Sequence, residues 1–211
     1  DSFLLAAGAP SSSMYRLENG QWERISDVSV DGEISAFAAA DGRVWAIGRR
    51  ALATYDEGQW QVSRPDRQLP YNAIDAAAAD DVWRVGSYGA VSKFSEGDGW
   101  SRLTGQEFSD TLEDVTVASN GEAWAVGYGV AHYDGERWQA TDFDFASRIP
   151  LEAVVATAPD DVWAARNEWV YHYDGAQWRE QNRMDEPIRD LWTDGGGTAW
   201  AVGGSYASGG Q

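Results

Sequence analysis

The chain has 211 residues, 43% of them hydrophobic, enough to bury one sizeable core. Its formal charge of −18, from 16 basic and 34 acidic residues, repels phosphate backbones and anionic lipid heads, so nucleic acid is not an expected partner. The absence of cysteine excludes disulfides, thiolate metal sites and a cysteine nucleophile, and no apolar run approaches the ~18 residues of a membrane-spanning helix, so no membrane insertion is expected.

The first predicted strand is Leu4-Leu5-Ala6-Ala7-Gly8, and a hairpin turn follows at Leu17-Glu18-Asn19-Gly20, just before Gln21-Trp22. A complete four-strand unit comes next. Strand A is the apolar stretch 34–40, and Asp41-Gly42 forms a tight turn. Strand B is Val44-Trp45-Ala46-Ile47-Gly48, strand C ends at Tyr55-Asp56-Glu57-Gly58, and strand D opens with Gln59-Trp60. The same order recurs from 73–79 through Asp80-Asp81, Val82-Trp83-Arg84-Val85-Gly86 and Gly99-Trp100, with the last turn widened at 96–99. It recurs again from 112–118 through Ala123-Trp124-Ala125-Val126-Gly127, His132-Tyr133-Asp134-Gly135 and Trp138. The next unit runs from 151–157 through Asp160-Asp161, Val162-Trp163-Ala164-Ala165-Arg166, His172-Tyr173-Asp174-Gly175 and Trp178. The last one holds 188–194, three glycines and Ala199-Trp200-Ala201-Val202-Gly203.

Ten of the twelve tryptophans fall into two interlocked series. Trp45, Trp83, Trp124, Trp163 and Trp200 mark strand B, and Trp22, Trp60, Trp100, Trp138 and Trp178 mark strand D. A period near 40 with strand-like content signals a repeated supersecondary unit. Strand B is apolar on both faces, so both must be covered. A two-layer sandwich leaves one face of each sheet wet, whereas sheets stacked around an axis cover both. The expected fold is therefore all-β with almost no helix: a β-propeller of four-stranded antiparallel blades in one domain, 1–211, or a fragment of one. Blades are expected at about 34–71, 73–111, 112–150 and 151–187, with partial blades at 1–30 and 188–211. Six blades, the last incomplete in this chain, is the first reading and five the second.

Asp-Asp-Val-Trp at 160–163 and the hairpins Tyr133-Asp134-Gly135 and Tyr173-Asp174-Gly175, each followed three residues after its glycine by tryptophan, resemble the blade repeat of bacterial secreted β-propellers. The Asp-Gly-x-x-Trp hairpin is similar to the Asp-box turn of sialidase-type propellers, although an Asp-box separates its Asp and Gly by one residue. The resemblance implies an extracellular, cell-surface or periplasmic location. It leaves function open, because propellers serve as lectins, hydrolases, scaffolds and assembly factors alike.

The D-to-A connections 64–71, 105–111, 142–150 and 182–187 differ in length and composition, as binding loops on a regular scaffold do. At the same end of each blade, the B-to-C connections carry the aromatics Tyr88, Tyr128, Trp169 and Tyr206, with Arg49, Arg50 and Asn167 beside them. Aromatics rimmed by polar groups suit carbohydrate or protein contact, and Tyr88, Tyr128, Trp169, Tyr206 and Arg49 are the candidate ligand-binding residues. The opposing reading is that they cap blade ends.

Asp75, Asp114 and Asp190 take one frame position of strand A in three units, where a propeller's central channel lies; calcium there is a minor expectation, since it needs 6–8 oxygens. No other cofactor is expected. His132 and His172 share a repeat position, which argues against either being a catalytic base. A sialidase-like site would draw on Arg64, Arg67, Arg148, Arg183 and Tyr71, but nothing in their spacing selects a set. The expectation is a noncatalytic propeller that binds a carbohydrate or cell-envelope protein. A glycosidase-type hydrolase and a structural component of a larger assembly are the alternatives.

Overall fold

A computed structural model of the protein describes residues 5–8, 13–25, 34–48, 51–63, 71–103, 110–143, 147, 149–194 and 198–204. They form antiparallel strands in two compact units, Asp1–Leu103 and Thr104–Gln211. The longest helical feature among them is a single 3-10 turn at Ser87–Gly89. No helix is long and apolar enough to cross a membrane among the described residues.

The first unit holds three sheets. One consists of β1 (Leu5–Gly8), β2 (Ser13–Glu18) and β3 (Gln21–Ile25). The next is β4 (Ile34–Ala40), β5 (Arg43–Gly48), β6 (Leu52–Asp56) and β7 (Gln59–Ser63). The third is β8 (Tyr71–Ala78), β9 (Asp81–Gly86), β10 (Ala90–Ser95) and β11 (Gly99–Arg102). The second unit begins with β12 (Leu112–Val117), β13 (Ala123–Gly127), β14 (Val130–Tyr133) and β15 (Trp138–Ala140). It continues with β16 (Ala153–Ala158), β17 (Asp161–Arg166), β18 (Trp169–Tyr173) and β19 (Trp178–Arg183), then the pair β20 (Ile188–Thr193) and β21 (Ala199–Gly203). Every sheet follows chain order, so each blade is a meander of A, B, C and D strands.

The double-sided burial inferred for strand B has a direct counterpart. In β5, Trp45 and Ile47 pack with Ile74 and Val82 of the following sheet, while Ala46 packs with Met14 of the preceding one. In β16, Val154 joins Trp124 and Val126, while Ala153 and Val155 join Ile188 and Leu191. Trp45, Trp83 and Trp124 are at most 1% exposed. An indole buries 150–250 Å², so at ~25 cal/mol per Å² each contributes roughly 4–6 kcal/mol before entropy is charged. Trp200 departs from the series at 57% exposed, because β21 has a single partner strand, β20, among the described residues.

Turn chemistry sets the registers. Asn19-Gly20, Asp41-Gly42 and Glu57-Gly58 all have positive φ, as two-residue hairpins matched to the strand twist require. Asp134 closes its turn through Oδ1, which accepts from the amides of Glu136 and Arg137, both at 2.9 Å. Asp174 does the same with Ala176 and Gln177 at 3.1 and 3.0 Å. The preceding tyrosine hydroxyls, Tyr133 and Tyr173, donate to the glycine carbonyls of Gly135 and Gly175.

Strand A starts differ from expectation. It opens at Tyr71 and at Ala153 rather than at 73 and 151, and a β-bulge follows its first residue in β4, β8, β12 and β20. The bulge lets Leu112 face Gly127 at the end of strand B, where a Cβ would lie 2.1 Å from the carbonyl oxygen of Thr111. The Gly203 site is alike, 2.0 Å from the Pro187 oxygen. In the β16–β17 ladder pairing begins later, at Ala153 opposite Ala165, which leaves room for Arg166 in the glycine position.

Candidate functional site

Arg49, Arg50, Arg64, Arg67, Arg148 and Tyr206 lie outside the described residues. Of the other loop candidates, Tyr88 is 81% exposed and Tyr128 55% exposed, each at the B-to-C end of its own sheet. Tyr88 sits in the left-handed region, φ 59 and ψ 36, inside the 3-10 turn. Trp169 is half-buried against the core of its sheet, with the Arg183 guanidinium 5.7 Å from its ring centre. Its turn is fixed from the backbone: the Asn167 carbonyl accepts from the Ile188 amide at 2.7 Å, and the Glu168 carbonyl from the Met184 amide at 2.7 Å. Tyr71 is a core residue rather than a loop residue. It opens β8, shares a 2.6 Å hydrogen bond with Ser92 and carries the Arg84 guanidinium 4.1 Å above its ring.

The strand A carboxylates do not share one frame position. Asp114 faces Val126 and Asp190 faces Val202, both two residues beyond the strand B tryptophan, but Asp75 faces Trp83 itself. Strand A opens at Tyr71, so Ala73, opposite Val85, takes the place of Asp114 and Asp190, and Asp75 stands two residues further on, about 6–7 Å along the strand. Each carboxylate is used by backbone. Asp114 accepts from the amides of Val115 and Val154, both at 2.8 Å, and so ties β12 to β16. Asp75 accepts from Ala76, and Asp190 from Leu191, each at 2.8 Å. No three potential metal-binding side chains gather among the described residues.

The histidines belong to a repeated device. His132 stacks on Trp124 at 4.0 Å, with Nε2 2.8 Å from Glu122. His172 stacks on Trp163 at 4.1 Å, with Nε2 2.5 Å from Asp161. In the β8–β11 sheet Lys93 takes the same place, 4.8 Å from the Trp83 ring centre and 2.8 Å from Asp81. A cation or imidazole on strand C thus covers the strand B tryptophan, and a carboxylate two residues before that tryptophan holds it. Desolvation raises the Asp161 carboxyl, but hydrogen bonds from Thr157 and His172 and the charge of His172 leave it below the usual carboxylate range. Glu113 moves the other way: desolvation and then the charge of Glu152 hold it above that range.

The β4–β7 sheet breaks this pattern and leaves a cleft of about 420 Å³ against β8–β11. Thr54 stands opposite Trp45, where the other sheets carry Lys93, His132 and His172. Arg43 replaces the carboxylate, and its guanidinium reaches Asp56 at 2.9 Å and Glu96 at 3.2 Å. Phe94 and Trp100 wall the cleft, with ring centres 5.5 Å apart, and Arg84 braces Trp100 from 4.0 Å. Sequence reading missed this site because Arg43 and Thr54 look like ordinary strand residues until the ladders set Thr54 opposite Trp45 and Arg43 at the start of the strand that holds Trp45. Its signal was the absence of a cation at 54.

No family model matches the chain, and no curated protein matches it. Solved β-propellers do match along nearly its whole length. The chain is similar to YCF48 bound to D1 peptide, at 18% identity and a TM-score of 0.69 over 95% of this chain and 70% of that one. It is similar to a catalytically inactive virginiamycin B lyase from Staphylococcus aureus with quinupristin, at 9% identity and a TM-score of 0.77 over 94% and 76%. It also resembles the extracellular domain of BT4673 from B. thetaiotaomicron, at 11% identity and a TM-score of 0.65 over 94% of this chain and 30% of that one. The likeness is one of fold: an all-β protein built of four-stranded antiparallel sheets as β-propellers are.

Proposed function

We propose that the protein is a noncatalytic binding propeller that recognises a protein segment of the cell envelope through the B-to-C turns of its blades. Tyr88 carries the reading. A bulky side chain is held in a backbone region that costs about 1–3 kcal/mol, and it is 81% exposed, so no packing gain offsets that cost. Strain kept at an exposed aromatic fits selection for contact with a partner. Tyr128 offers a second exposed aromatic at the corresponding turn of another sheet. One propeller of similar fold, YCF48, is bound to D1 peptide. A noncatalytic role agrees with both histidines being held in stacks on tryptophan. An extracellular or periplasmic setting goes with an envelope partner.

The test is a screen of peptide and glycan arrays with the wild type, Tyr88→Ala and Tyr128→Ala, beside a panel of glycosidase substrates. Peptide binding that falls at least tenfold in Tyr88→Ala, with an unchanged melting temperature, is the expected result. Binding confined to glycans would replace the protein partner with carbohydrate. Turnover of a glycoside would overturn the noncatalytic reading.

A further inference from the structure

We propose that the cleft between the β4–β7 and β8–β11 sheets binds a small organic cation carrying a flat ring. Three departures from the repeat meet there, and none is needed for the blade itself. Thr54 removes the cationic side chain that the repeat places on strand C. Arg43 removes the carboxylate that would hold it, and turns instead toward Asp56 and Glu96. The widened turn at 96–98, with positive φ at Gly97 and Gly99, carries Glu96 to the rim.

What these changes leave is a volume within the ~300–1,000 Å³ usual for small-ligand sites. The half-buried rings of Phe94 and Trp100 form its walls, and two carboxylates against one guanidinium make its charged rim net negative. Aromatic faces attract cations, most strongly when water is excluded. The carboxylates add a charge-assisted partner for an ammonium group. In three other sheets the same position is filled by an ammonium or an imidazole of the chain's own. The ligand therefore supplies what Thr54 lacks: a compact cation for Asp56 and Glu96, joined to a ring that meets Phe94 and Trp100. This site does not depend on the reading of the B-to-C turns.

Benzylammonium and its neutral isostere benzyl alcohol are the discriminating probes, with methyl β-glucoside as a sugar control, titrated calorimetrically and followed by the indole resonances of Trp45 and Trp100. The expected result is benzylammonium binding at least tenfold tighter than benzyl alcohol, with the gap narrowing in 1 M NaCl. Thr54→His restores the repeat's own filling; it should weaken benzylammonium at least tenfold while the melting temperature holds or rises. Glu96→Gln changes an exposed residue and should abolish the preference for the charged probe without touching benzyl alcohol. That variant keeps the test decisive if Thr54→His fails to fold. Equal affinity for the two benzyl probes, a preference for the glucoside, no binding of benzylammonium, or unaltered binding in either variant would overturn the proposal.

Discussion

At the scale of single residues, the same side-chain types do different work according to their neighbours. Asp161 and Glu113 are both half-buried carboxyls, yet they are shifted in opposite directions. Asp161 is lowered, so its contribution to stability is fully present above the unfolded value near 4 and is lost as pH falls through the folded value. Glu113 is raised by desolvation first and Glu152 second, so its ionisation opposes folding, and the penalty grows as pH rises from the unfolded value through the folded one. Two variants should therefore give mirror-image pH profiles. Asp161→Asn should lose stability at pH 7 and draw level with the wild type in acid. Glu113→Gln should gain at pH 7, by less than about 1 kcal/mol because solvent screens a partly exposed group, and gain nothing in acid. Chemical denaturation at pH 7 and pH 3 checks both; parallel profiles would refute the assigned shifts.

At the scale of elements, the glycine that ends strand B is dictated by a backbone and not by a turn. A Cβ at Gly127 would meet the Thr111 oxygen at 2.1 Å, an atom that cannot move without shifting β12. Gly135, in the hairpin turn, has open space around it and only its φ of 96 to defend. Gly127→Ala should therefore destabilise by ~3 kcal/mol or more, beyond the usual cost of overpacking, and Gly135→Ala by about 1–2 kcal/mol. Urea midpoints order the two; a smaller loss in Gly127→Ala would show that β12 gives way. Strand order and hairpins were legible in the sequence because tryptophan and Asp-Gly spacings report them directly. The bulges in strand A were not, since they come from where pairing begins and leave no residue signature. Asp75 stands two residues along from Asp114 and Asp190 because its strand opens at Tyr71, two residues before the apolar run that suggests its start. The exposed tyrosines of the B-to-C turns were visible as aromatics no turn requires. The cleft was hidden, because Thr54 looks like an ordinary strand residue until the ladder sets it opposite Trp45.

At the scale of the whole molecule, 34 acidic residues against 16 basic leave 18 carboxylates without a counter-charge of the chain's own at neutral pH. Local pairs such as Lys93–Asp81 and Arg43–Asp56 are partly exposed and each contributes about 0–1 kcal/mol, which salt diminishes. The excess repels itself, and folding gathers it onto a smaller surface. Raising NaCl from 0.15 M to 1 M shortens the screening length from ~8 Å to ~3 Å, which relieves repulsion across the surface more than it weakens the few pairs at contact. The melting temperature at pH 7 should therefore rise with NaCl. A relief of about 1–2 kcal/mol corresponds to roughly 2–8 °C for a chain of this size. Near pH 4.3, the isoelectric point, net repulsion vanishes. There the salt effect should shrink or reverse as the remaining pairs are screened. A melting temperature that falls with salt at pH 7 would mean that the ion pairs outweigh the excess charge. An equal rise at both pH values would assign the effect to stronger burial of apolar surface, which salt also promotes, and not to the acidity that sets this chain apart.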